Sequence, residues 1–121
     1  MAPRAKAPQT DGGVFISEYA GDPIISSLIP RFMAEIPDRL TAITASCHNQ
    51  AWSSMAKGLH QLRGAAGVYG FTYMAETAAI LEESLLTASP DPEAVHKLWQ
   101  RLHDFCVKLL AYHQQSSSEK V

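Results

Sequence analysis

The chain is predicted to be all-α: an antiparallel up-and-down four-helix bundle with an extra short helix at its N-terminus. Three observations carry this prediction. Four segments place apolar residues at steps of three and four, which turns one face of a helix inward. The links between them are short, which sets neighbouring helices antiparallel. The strict apolar-polar alternation of a half-buried strand is found almost nowhere.

The first stripe runs Ile25, Ile29, Phe32, Ile36, Leu40, Ile43 and Cys47. Asp22 followed by Pro23 reads as an N-cap with proline at the first helical position. Pro30 and Pro37 interrupt the run, and each removes a backbone donor and crowds the preceding turn. A short leading helix, a kink or break, and a longer helix to about Ser46 are therefore expected. Phe15, Ile16 and Tyr19 are expected to form a further turn that covers one end of the core.

After the polar turn His48-Asn49-Gln50, the second stripe comprises Trp52, Met55, Leu59, Leu62 and Ala66. The glycine-rich link Gly67-Val68-Tyr69-Gly70 leads to a third, Phe71, Met74, Ala78, Leu81 and Leu85. Gly70 is expected to close a helix in a left-handed turn. Ser89-Pro90-Asp91-Pro92 is a stop followed by a start, with Asp91 as N-cap, and Val95, Leu98, Leu102, Phe105, Leu109 and Tyr112 form the fourth stripe. Residues 1–13 and 114–121 are polar or rich in Pro, Gly and Ala, and read as flexible tails around one domain over 14–113.

Composition narrows the function classes. The 121 residues, 46% hydrophobic and 18% charged, suffice for one globular domain that needs neither a metal nor a disulfide to fold. Ten basic against twelve acidic side chains leave a formal charge of -2, and no basic field exists to hold nucleic acid by counterion release. Cys47 and Cys106 are too few for a disulfide framework, which points to a reducing, cytoplasmic setting. The first residues contain no apolar core of a secretory signal, and no run approaches a membrane span. A monomer with no membrane partner is expected.

The informative place is the outer face of the second helix. At about 100° per residue, His60 lies roughly 120° from the centre of its apolar stripe, so the imidazole should face water. Its helical neighbours are Lys57, Arg63, Ala56, Gly64, Ser53 and Gly67, two cations and four small residues. Glycine inside a helix costs on the order of 1 kcal/mol relative to alanine, and Gly58, Gly64 and Gly67 all fall in this segment. Bare backbone beside a protruding ring lets another protein approach it closely. Histidine suits a reversible phosphoryl carrier, because its unperturbed pKa near roughly 6.5 leaves a neutral nitrogen lone pair at cytoplasmic pH. Lys57 and Arg63 could then partly neutralise the added negative charge.

The run His60-Gln61-Leu62-Arg63-Gly64-Ala65-Ala66-Gly67-Val68-Tyr69-Gly70 resembles the signature of the histidine-containing phosphotransfer (HPt) domain family. That pattern has an apolar residue two places after the histidine, lysine at three, glycine at four, small residues, and glycine at ten. His60 matches the phosphoacceptor, Leu62 the core-facing residue, Arg63 the basic position, and Gly64 and Gly70 the two glycines. Arginine replaces the usual lysine, which keeps the charge and changes its reach, and Gly67 is additional. The resemblance spans roughly Asp22 to Tyr112 and implies a helical bundle. It also implies a phosphorelay intermediate that takes a phosphoryl group on His60 from a receiver aspartate of a hybrid sensor kinase and passes it to a response regulator. Mg²⁺ is implied in the receiver's acidic pocket and no cofactor in this chain. No nucleotide-binding glycine loop is present, so autonomous kinase activity is not expected.

Two other readings compete. One is a non-phosphorylated helical adaptor that inhibits a receiver domain by occupying it. The other is a metal site drawn from His48, His96, His103 and His113 with Cys47 and Cys106, whose best case joins His103 and Cys106 to Cys47 and His48. Both cysteines fall in or beside apolar stripes, where small buried thiols are common, so no metal ligands are assigned.

Overall fold

The computed structural model describes residues 13–119; residues 1–12 of the expected N-terminal tail lie outside the described ones. A 3-10 turn at Gly13–Phe15 precedes four helices: α1 (Pro23–His48), α2 (Trp52–Val68), α3 (Thr72–Ser84) and α4 (Pro92–Glu119). Sequential helices pack as neighbours and α4 returns against α1, closing an all-helical four-helix bundle with no strand among the described residues.

The stripes read from the sequence form its core. Phe32, Ile36, Met55, Leu59, Leu62, Met74, Leu81, Leu102 and Leu109 are buried from all four helices at once. Burying each such side chain stabilises the fold by roughly 1.5–3 kcal/mol. Asp22 caps α1 as expected, its Oδ1 accepting from the Ile24 and Ile25 N–H groups at 2.8 and 3.2 Å. Asp91 does the same for α4, accepting from the Glu93 N–H at 3.1 Å.

Two expectations require correction. The first stripe is one helix of 26 residues, with Pro30 and Pro37 inside it and no break at either. Both prolines lie on the exposed side, while Ile29, Phe32, Met33, Ile36 and Leu40 are buried on either side of them. Their combined burial outweighs a local cost of about 3 kcal/mol for each proline. At the other end, α4 continues past residue 113 to Glu119. After Pro92 it contains neither glycine nor proline to stop it.

The turn between α2 and α3 decides the registration of those two helices. Gly70 adopts φ +82°, and the Phe71 N–H reaches back across it to the Ala66 carbonyl at 2.8 Å. The segment after the 3-10 turn straps over this corner. Glu18 N–H donates to the Gly70 carbonyl at 2.8 Å, the buried Ser17 hydroxyl to the Tyr69 carbonyl, and Thr72 Oγ1 to Glu18 Oε2 at 2.6 Å. Phe15 packs on Phe105 and Tyr112, while His113 Nε2–H donates to its carbonyl at 2.7 Å. The expected turn over the end of the core is thus a strap tied to α2, α3 and α4.

A Cβ at Gly70 would stand 2.6 Å from Ser17 Oγ and 3.0 Å from the Glu18 nitrogen, in addition to the positive φ. Gly70→Ala is expected to lower the unfolding free energy by roughly 1–3 kcal/mol, measured by urea denaturation. An unchanged midpoint would show that the corner adapts without strain.

Candidate functional site

His60 stands in the middle of α2 with its side chain 63% exposed. Leu59 and Leu62, on the opposite side of the same turn, are fully buried and fix the rotation of the helix that points the ring outward. Gly64 and Gly67 follow one and two turns later on this flank, both exposed. A Cβ built on either would meet nothing within 4 Å. No packing inside the chain accounts for these glycines. Gly58 is different: a Cβ there would lie 2.9 Å from Ile43 Cγ1, so its bareness lets α1 approach α2.

The ring is not free to turn. Its Nδ1 lies 3.1 Å from Glu82 Oε2, a carboxylate on the adjacent helix α3 and 22 residues away in sequence. A carboxylate oxygen only accepts, so Nδ1 carries the proton and donates it to Glu82. The lone pair is left on Nε2, on the side of a 63% exposed ring that Glu82 does not engage. Leu81, buried beside Glu82, anchors this part of α3, and Glu82 is only 20% exposed.

Arg63 completes the group. Its Nη1 lies 3.4 Å from Glu82 Oε1, yet that buried oxygen has no aligned hydrogen bond. Its Nη2 stands 3.5 Å from His60 Nδ1, a meeting of two donors rather than a bond. The guanidinium, 43% exposed, is therefore held by charge more than by geometry and can turn outward. Lys57 is exposed on the turn before His60 and makes no ion pair among the described residues.

The sequence-derived group of His60, Lys57, Arg63, Gly64 and Gly67 thus occupies one flank of α2 and extends to α3. Glu82 was missed. Nothing in its own segment marks it, because a glutamate on an amphipathic helix is ordinary, and only the α2–α3 registration brings it to the ring. Cys47 and Cys106 are buried and stand apart from this flank. Burial pushes the Cys106 thiol up to about 12, which leaves it protonated and unreactive at neutral pH. Among the described residues, no three His, Cys, Asp or Glu side chains converge on a point that would hold a metal, so the competing quartet of Cys47, His48, His103 and Cys106 does not assemble.

The outward imidazole of His60 on a four-helix bundle thus lies against a carboxylate of the adjacent helix and is flanked by bare backbone. Residues 27–114 match the Hpt domain family, and the chain is a member of that family. Its members carry phosphoryl groups on histidine in two-component phosphorelays, with receiver domains as partners. Searches of curated proteins and of solved structures gave no significant match. No described helix is long and apolar enough to cross a membrane.

The orientation of the ring can be read directly. Free histidine favours the proton on Nε2, whereas Glu82 draws it to Nδ1. Nitrogen-15 NMR of neutral His60 is expected to show mainly the Nδ1–H form in the wild-type chain and a shift toward Nε2–H in Glu82→Ala. The same tautomer ratio in both would remove Glu82 from the account. Because the His60 partner is 63% exposed and water screens the contact, the stability change in Glu82→Ala should stay within about 1 kcal/mol.

Proposed function

We propose that His60 is the phosphoacceptor of a multistep phosphorelay, and the observation that carries the reading is the Glu82 contact that frees Nε2 at the open edge of the ring. The Nε2 lone pair attacks the phosphorus of an aspartyl phosphate on one receiver domain. The N–P bond forms as the P–O bond to the carboxyl group breaks, and the aspartate leaves as a carboxylate. The Nδ1 proton stays in place, so the product ring is cationic and faces the Glu82 carboxylate, which offsets the charge. Transfer to the aspartate of a response regulator runs the same steps in reverse.

Arg63 turns from its loosely aligned pair with Glu82 toward the phosphoryl oxygens, with Lys57 as a second screening charge. Gly64 and Gly67 keep the approach low enough for a receiver's active-site edge to reach the ring. Exposed Val68 and Tyr19 offer apolar contact at that end of the flank. The flank itself holds a single carboxylate already facing a cation, a donor set unsuited to Mg²⁺. The ion belongs to the partner's acidic pocket and would there neutralise charge on the transferring group. The chain acts as a carrier without autonomous kinase activity, in the cytoplasm where receiver domains act, and neither nucleic acid nor a membrane is part of the cycle.

His60→Gln is expected to abolish uptake of label from a phosphorylated receiver and to leave binding nearly intact. Arg63→Ala should slow uptake by roughly tenfold, the loss of one charge-assisted contact worth about 1.4 kcal/mol in the transition state. A His60→Gln chain that still shuttles phosphate would contradict the assignment. A wild-type chain that binds phosphorylated receivers and takes up no label would be an adaptor instead.

A further inference from the structure

The chain has five histidines, and three of them, His48, His96 and His103, line a single surface pocket of about 210 Å³ between α1 and α4. Thr44, Trp99 and Gln100 complete its lining, and no carboxylate is among them. This seam lies on the side of the bundle away from the α2–α3 seam that holds His60 and Glu82. The phosphoacceptor makes no use of it.

His48, in the last turn of α1, and His96, early in α4, are both exposed, and their ring centroids are 6.5 Å apart with planes inclined at 63°. Two imidazoles sharing one ion at metal–nitrogen distances of about 2.0–2.1 Å place their centroids roughly 5–6 Å apart. Rotation of two exposed rings supplies the difference. The floor beneath them does not move with them: Trp99 is buried and its Nε1–H donates to Thr44 Oγ1 at 3.1 Å, locking α4 to α1. His103 is seven residues beyond His96 and about 10 Å further along the helix axis, too far to share the ion. It is held instead against the Trp99 ring at 5.8 Å. Gln100, one turn after His96, can supply an amide oxygen as a further ligand, with water completing the set.

We propose that His48 and His96 form a binding site for a divalent transition-metal ion that bridges the end of α1 to the start of α4. Neutral imidazoles without carboxylates select zinc, copper or nickel and discriminate against magnesium and calcium. The ion ties the first long helix to the last and stabilises the closed bundle by mass action, leaving the flank around His60 open.

The test is calorimetric titration of the full chain with Zn²⁺, in a His60→Gln background so that the other exposed imidazole near a carboxylate does not contribute. One ion per chain is expected, with a rise in the unfolding temperature and no response to Mg²⁺. His48→Ala and His96→Ala should each weaken binding by at least about tenfold, since even groups behind the ligands cost that much when removed. His103→Ala should leave it within about twofold. Unfolding midpoints without metal check that the variants fold, as the exposure of both rings predicts. Absence of saturable one-to-one binding, or binding that survives loss of both His48 and His96, overturns the proposal.

Discussion

Everything the site can do depends on one contact across the α2–α3 seam, from the Nδ1–H of His60 to Oε2 of Glu82 at 3.1 Å. An exposed imidazole on a helix otherwise rotates about two bonds and exchanges its proton between two nitrogens. The carboxylate fixes both: it selects which nitrogen carries the proton and which edge faces outward. The contact in turn depends on the registration of two antiparallel helices, set by the Gly70 turn and by the strap of residues 17–19 that bonds to it. Backbone geometry at Gly70 is thereby linked to the orientation of a ring ten residues away.

The glycines of α2 separate by what surrounds them. Gly58 has a reason inside the molecule, because Ile43 occupies the space a side chain would need. Gly64 and Gly67 have none inside it, and each still costs the helix about 1 kcal/mol in propensity. A cost with no internal return points outward, to a surface that must come close to the backbone. Arg63 fits the same logic. Its pairing with Glu82 is charged but poorly aligned, which leaves the guanidinium free to reorient toward the role proposed for it.

Much of this was legible in the sequence, because a helix stripe and a motif are local patterns. The four stripes, the two aspartate caps, the exposed face of His60 and the left-handed role of Gly70 all follow from residues within a few turns of each other. What was not legible is long-range. Glu82 lies 22 residues from His60, and no spacing rule within α2 could find it. The unbroken α1 reflects tertiary burial of Phe32 and Ile36, which overrides the local effect of Pro30 and Pro37. The sequence could name His48 and His96 only within a larger pool of histidines and cysteines, and its best case joined His48 to His103 and the thiols, whereas the fold buries both thiols and sets the first and last helices side by side.

The most direct test of the central claim is the position of the phosphorus on the ring. Combined phosphorus-31 and nitrogen-15 NMR of the chain phosphorylated by a receiver domain distinguishes the two nitrogens through their coupling to phosphorus. If Glu82 holds Nδ1, the phosphoryl group is on Nε2 and the Nδ1 proton remains bound. Phosphorus on Nδ1, or on any residue other than His60, would contradict the role assigned to that contact.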